Sequence, residues 1–275
     1  MMDEPPSATR VSDLPSLIDR PELYPGDWST GNNGFLHSRG YSYPLSLGPG
    51  QSLAEATVTL ALDGGPIQSA SFKPSLSMYL EQIGAIDVDR RHPVVAVGSN
   101  AYARQISDKF AGTECDDTIP LFPCTTEAIS VCFCPFYASK GYVPATATAT
   151  ATASKGRGHF THVWLQLLTD EQLERMTATE GGYDLVWVAH EEAGLTILPS
   201  RQVIPAFYTY WYRQALTLSG KSPVYCSWSH AEMNEGAMTE VEVLQAISGL
   251  NAERLSAANE MPMHASRQSP GAARL

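Results

Sequence analysis

The sequence predicts an α+β chain in which short strands outnumber helices. Three observations carry this. The run Val94–Val97 is a short apolar segment that stops at Gly98 and turns directly into a helical pattern. Several other segments of four to ten residues are rich in Val, Ile, Thr and aromatic residues, bounded by Gly and Pro. Only a few stretches combine helical spacing with a capping residue.

Residues 1 to about 50 are rich in Pro, Gly, Ser and Asn, with aromatics scattered through. Leu23-Tyr24-Pro25-Gly26-Asp27-Trp28 and Gly40-Tyr41-Ser42-Tyr43-Pro44 read as irregular coil packed against something, since a disordered tail carries fewer aromatics. Val58, Leu60 and Leu62 alternate as in a strand that ends at Asp63-Gly64-Gly65-Pro66. Pro74-Ser75 opens a helix that Gly84 ends. Residues 87–91 are a charged connection into the central strand, and residues 1–92 are expected to form an extension packed on the main domain.

At the strand end, Val97-Gly98-Ser99-Asn100 can present free backbone N–H groups to an anion such as a carboxylate or phosphate. A tight strand-to-helix corner without a ligand is the plainer reading. Ser99 and Asn100 are both good helix N-caps, and Ala103, Ile106 and Phe110 give the following helix its inner face. Asp116-Asp117 sits in a polar loop, solvated on the simpler reading and metal-binding on the other.

Ala128–Cys134 is a strand, and Cys132 and Cys134 alternate onto one face as packed core thiols, with metal binding the more remote reading. The Ala/Thr run up to Ala153 has a period of two, which suits a flat strand with one Thr face and one Ala face. A turn at Ser154–Gly158 and the strand His159–Leu168 complete an expected hairpin.

Thr169-Asp170-Glu171-Gln172 is a capping box opening a short helix, with Leu173 and Met176 on its inner face. Glu180 follows the helix and precedes the pair Gly181-Gly182, where backbone can close around a carboxylate; taken alone it reads as a solvated turn residue. Asp184–Ala189 and Val203–Tyr212 are further strands, and Val241, Leu244, Ile247 and Leu250 mark an amphipathic helix before a polar tail.

Bulk properties limit the function classes. The chain has 275 residues, 43% of them hydrophobic, enough for one large domain or two small ones. Its net charge of −11 makes it a poor nucleic-acid binder, because phosphate neutralisation needs clustered Lys and Arg. No apolar run approaches the length of a membrane helix. The acidic, prolyl start lacks the features of a secretory signal, and an odd count of five cysteines argues against a disulfide framework; both favour the cytoplasm. Gly-x-Ser-x-Gly, Gly-x-x-x-x-Gly-Lys and Gly-x-Gly-x-x-Gly patterns are absent, and His92, His159, His162 and His190 do not form a spaced metal set.

The order of these features resembles the gamma-glutamylcyclotransferase-like superfamily. Val97-Gly98-Ser99-Asn100 corresponds to its glycine–serine–asparagine loop after the first strand. Leu173-Glu-Arg-Met176-Thr177-Ala178-Thr179-Glu180-Gly181-Gly182-Tyr183 corresponds to its short helix followed by Glu-Gly and Tyr. Gly141-Tyr-Val-Pro-Ala-Thr and Val163-Trp-Leu-Gln-Leu look like its strand pair. The likeness covers residues 93 to about 226. It departs at Val97, where the family has tyrosine, and at Thr177, where the family usually has aspartate.

The resemblance implies a small, mostly antiparallel β-barrel with a few helices over 93–235, followed by a C-terminal helix and loose tail over 236–275. It implies release of an amine from a γ-glutamyl amide with formation of 5-oxoproline. Glu180 would be the general acid and base, and Val97, Gly98, Ser99, Asn100 and Tyr183 would bind the small-molecule substrate, with no metal or other cofactor. Tyr183 reads equally well as a packed strand residue. A non-catalytic protein that keeps the fold for a small carboxylated ligand is the alternative, and the sequence carries no signal of oligomeric state.

Overall fold

The computed structural model describes residues 8–26, 33–60, 73–149, 160–189, 194–218, 223–229, 237–248, 256–258 and 265–267. They form an α+β structure on a large, mostly antiparallel sheet. The strands are β1 (Thr9–Arg10), β2 (Gly34–Ser38), β3 (Tyr41–Ser46), β4 (Thr57–Val58), β5 (His92–Ala96), β6 (Ile119–Thr126), β7 (Ile129–Phe133), β8 (Ala145–Ala149) and β9 (Thr161–Leu168). They continue as β10 (Asp184–Ala189), β11 (Leu195–Ile197), β12 (Val203–Ile204), β13 (Ala206–Trp211), β14 (Gln214–Leu216), β15 (Ser256–Ala258) and β16 (Ala265–Arg267). The helices are α1 (Leu76–Gln82), α2 (Ala103–Phe110), α3 (Asp170–Thr179) and α4 (Glu240–Ile247).

The main sheet runs β1-β3-β2-β6-β9-β5-β13-β10-β16, with β4 on β3 and the pair β11–β12 branching from β6. The expected closed barrel is corrected. Among the described residues the sheet stays open, with β1 and β16 as separate ends. The N-terminal residues, expected as an extension packed on the main domain, contribute strands to the sheet itself: Phe35 pairs with Leu121 across β2 and β6. Residues 265–267 lie in the expected loose tail, yet they form β16 on the open edge of β10, where unpaired backbone groups invite a further strand.

β5 is central and fully buried, antiparallel to β9 (Val94 opposite Gln166) and parallel to β13 (Val94 opposite Tyr208). Successive side chains on a strand point to opposite faces. Val94 and Ala96 therefore join Ile106, Phe110, Leu173 and Met176 in a core that seats α2 and α3 on one face of the sheet. Val95 and Val97 join Phe122, Leu165 and Phe207 on the other, with α1, α4 and the β7–β8 pair.

The expected pairing of the Ala/Thr strand with the strand after it does not occur. β8 pairs with β7, Ala147 opposite Val131, because both edges of β9 are occupied by β5 and β6. The expected turn at 154–158 lies outside the described residues. β8 keeps its two-sided character: Ala147 is in the core, and the Thr146 hydroxyl accepts a hydrogen bond from Tyr212 N at 2.8 Å.

A buried guanidinium ties the α3 end of the sheet together. Arg91 donates to the carbonyls of Ile86, Thr118 and Leu167 and to Gln172 Oε1, at 2.8–3.2 Å. Burial lowers its pKa to about 10, against the pull of Asp116 and Asp87. Gln172 also closes the α3 capping box with Thr169 and donates to the Asp116 carbonyl. None of the described helices is long and apolar enough to cross a membrane.

Candidate functional site

The site begins where β5 leaves the sheet. Gly98 opens a single 3₁₀ turn over Ser99–Ala101, and α2 follows with Tyr102 as its cap; the Ser99 and Asn100 side chains do not cap it. Glycine is required at position 98 by space. A Cβ at this position would overlap the Tyr24 hydroxyl. Among the described residues the N–H groups of Gly98, Ser99 and Asn100 reach no protein acceptor.

Asn100 is fixed at three points. Its carbonyl accepts from Gln166 Nε2 at 2.7 Å, its Oδ1 accepts from Lys109 Nζ at 2.7 Å, and its Nδ2 donates to Glu180 Oε1 at 2.9 Å. The side-chain amide thus uses its donor on the carboxylate and its acceptor on the ammonium, the one orientation that satisfies both. Glu180 is the C-terminal cap of α3, and Gly182, at φ +88°, makes the turn that follows in a conformation suited to glycine. Its carboxylate also forms an ion pair with Lys109, and both side chains are nearly buried, 13% and 11% exposed. Lys109 arrives from α2 and lies 3.5 Å from Met176 Sδ.

Val97, Gly98, Ser99, Asn100, Glu180 and Tyr183 all line one cavity of about 300 Å³. The structure therefore brings together the six residues singled out in the sequence. Tyr183 is anchored: its hydroxyl donates to the Ala145 carbonyl at 3.1 Å and lies 3.2 Å from Cys134 Sγ. Burial holds this phenol protonated, with Cys134 and Tyr24 adding to the effect. Val97 points into the core beneath the loop, its carbonyl 3.5 Å from Trp228 Nε1.

Four lining residues are not evident from sequence. Lys109 and Lys140 make the cavity wall cationic around the single carboxylate. Burial shifts the Lys140 ammonium below its usual pKa, Asp108 opposing and Lys109 assisting; its Nζ donates to Gln105 Oε1 at 2.8 Å. Tyr24 and Tyr142 stack with ring centroids 4.3 Å apart and cover the Gly98 end. The aromatic content of residues 23–28 is the only local hint of Tyr24. Lys109 leaves none, because a lysine on a helix usually faces water.

Among the described residues no group of three His, Cys, Asp or Glu side chains is arranged to hold a metal ion. Cys132 and Cys134 are buried free thiols, and burial pushes Cys134 up to about 12. Asp116 accepts from the Thr118 amide and hydroxyl, and Asp117 accepts from Arg39 N at 2.8 Å.

Comparison of the chain with protein-family models, with curated proteins and with solved structures finds no match.

Proposed function

We propose that this chain is a γ-glutamylcyclotransferase-type enzyme that releases an amine from a γ-glutamyl amide. One observation carries the reading: Glu180 and the Gly98–Asn100 loop, 80 residues apart in the chain, meet across one cavity through the Asn100–Glu180 hydrogen bond.

In this reaction the nucleophile is already in the substrate. The free α-amine attacks the γ-carbonyl carbon, a C–N bond closes the five-membered ring, and the original amide C–N bond breaks to release the amine. The protein's main task is to hold the folded, reactive conformer. The α-ammonium gives one proton to the Glu180 carboxylate before attack and the ring nitrogen loses a second after it; the leaving nitrogen takes up both, the first from Glu180, and departs as an ammonium. The open N–H groups at Gly98 and Ser99 suit the negative charge that grows on the former carbonyl oxygen. Lys109 serves as the counter-ion of Glu180 when the site is empty, and the substrate ammonium takes its place beside the carboxylate. A cytoplasmic location belongs to this proposal; it fits five cysteines that are all free.

The test is a product assay. Purified protein is incubated with γ-glutamyl dipeptides and γ-glutamyl amines, and 5-oxoproline is followed by mass spectrometry, with Glu180→Gln in parallel. Turnover that disappears in the variant supports both reaction and role. Turnover that survives it removes Glu180 from the mechanism, and folded wild-type protein without turnover removes the reaction.

One observation favours a second reading. Lys109 already neutralises the Glu180 carboxylate, and Lys140 adds another cation. A non-catalytic pocket for a small carboxylated ligand would look the same, and it predicts 5-oxoproline binding without turnover.

A further inference from the structure

The cavity is not built from the β5–α3 region alone. Tyr24 belongs to the N-terminal residues, yet it is 5% exposed and lines the cavity at Gly98. Its ring is held from two sides, stacked on Tyr142 at 4.3 Å and 20°, and edge-on to Trp228 at 5.5 Å and 78°. Trp228 in turn reaches the Val97 carbonyl. The position of the ring is therefore set by packing from two separate parts of the chain.

The hydroxyl is only half used. A phenol has one proton to donate and lone pairs to accept. The Tyr24 oxygen accepts from Ala145 N at 2.8 Å, and among the described residues its proton has no acceptor. Burial, with smaller contributions from Tyr142 and Cys226, keeps the phenol protonated far above neutral pH. Gly98 allows this approach, since any side chain there would occupy the place of the hydroxyl. The result is a neutral O–H donor next to the free Gly98 amide, at the strand end where Val97 supplies no polar group.

We propose that Tyr24 is a substrate-positioning residue, donated by the N-terminal segment, whose hydroxyl hydrogen-bonds an acyl or carboxylate oxygen of the ligand beside Gly98. This rests on the γ-glutamyl reading above for the identity of the ligand, though the donor geometry does not depend on turnover. It also assigns a function to the N-terminal residues: they complete the pocket.

The test uses the full chain and Tyr24→Phe, which keeps both ring contacts and removes only the hydroxyl. Two readouts are taken: turnover of the γ-glutamyl panel, and calorimetric binding of 5-oxoproline. The expected result is at least about a tenfold loss of 5-oxoproline affinity, as for removal of one buried hydrogen bond, with a similar fall in kcat/KM. Glu180→Gln, by contrast, is expected to lose turnover and keep binding. Because Tyr24→Phe leaves Ala145 N without its acceptor, Tyr24→Phe/Gly98→Ala is made as well. Its added methyl fills part of the vacated space and supplies neither the hydroxyl donor nor an acceptor for Ala145 N, so binding should stay weak in both folded variants. Wild-type affinity and kcat/KM in both folded variants would overturn the Tyr24 role and leave the reaction standing. Wild-type protein that binds 5-oxoproline without turnover would overturn the reaction, while weaker binding by Tyr24→Phe would still support the donor. Absence of both binding and turnover in wild type overturns both.

Discussion

The Lys109 ammonium and the Glu180 carboxylate share one face of the cavity, each nearly buried, and Asn100 bridges them with both ends of its side-chain amide. Removing one partner leaves the other as a poorly solvated charge. Lys109→Met is expected to cost about 2 kcal/mol, and Lys109→Met/Glu180→Gln less than the sum of the single changes. Urea unfolding of the four proteins checks this; additive costs would mean that the pair is energetically uncoupled.

Gly98 and Tyr24 are sterically matched. Gly98→Ala places a methyl group on the Tyr24 hydroxyl and is expected to destabilise by about 1–3 kcal/mol, the range for overpacking. In a Tyr24→Phe background the same substitution meets no hydroxyl, so its cost should fall sharply. An equal cost in both backgrounds would place the strain elsewhere.

Glu240 predicts a pH dependence. It is 2% exposed at the start of α4, Oε1 accepts from Val143 N at 2.6 Å, and Oε2 has no partner among the described residues. Burial raises its pKa from 4.5 to about 7, the Val143 amide working against the shift. Between these values the folded chain holds a proton that the unfolded chain has released. The stability contribution is therefore fully present below pH 4.5 and is lost as pH rises to about 7. Glu240→Gln lacks this slope. Relative to the variant, wild type should lose up to about 3 kcal/mol between pH 4.5 and 8, read by urea unfolding. Parallel curves would show that Glu240 titrates normally.

Arg91 is a connector whose loss strands several acceptors. Arg91→Ala leaves three carbonyls and the Gln172 amide oxygen without this donor, beside a large void. The expected cost is about 4 kcal/mol, from unsatisfied polar groups and the cavity together. Thermal unfolding of the full chain measures it; a loss below 1 kcal/mol would mean that water replaces the guanidinium.

What was legible in the sequence is what local chemistry decides. The apolar run before Gly98 is the buried central strand, and Thr169 and Gln172 form the capping box their spacing requires. Gly98–Asn100 and Glu180 line one cavity because α3 starts beside His92, at the far end of β5, and runs back along the strand to the loop. Pairing was less legible. The Ala/Thr strand carries no mark of its partner, and only the prior claims of β5 and β6 on β9 send it to β7. Barrel closure depends on whether the end strands meet, which no single segment encodes. Lys109 and Tyr24 escaped for a related reason: a surface-type lysine and a coil tyrosine acquire their meaning from residues far along the chain.

The parallel seam between β5 and β13 joins Val95 to Thr209, 114 residues further on. A chain emerging from the ribosome therefore carries the Gly98 loop and Glu180 long before β13 exists to support the strand beneath them. Until then β5 has one open edge, and its Val94–Ala96 stretch is apolar. Contacts of such separation slow folding, and an open apolar strand is a template for aggregation in the interval. Synthesis halted short of residue 206 would yield a chain that contains Glu180 and the loop, but lacks the strand that completes their support.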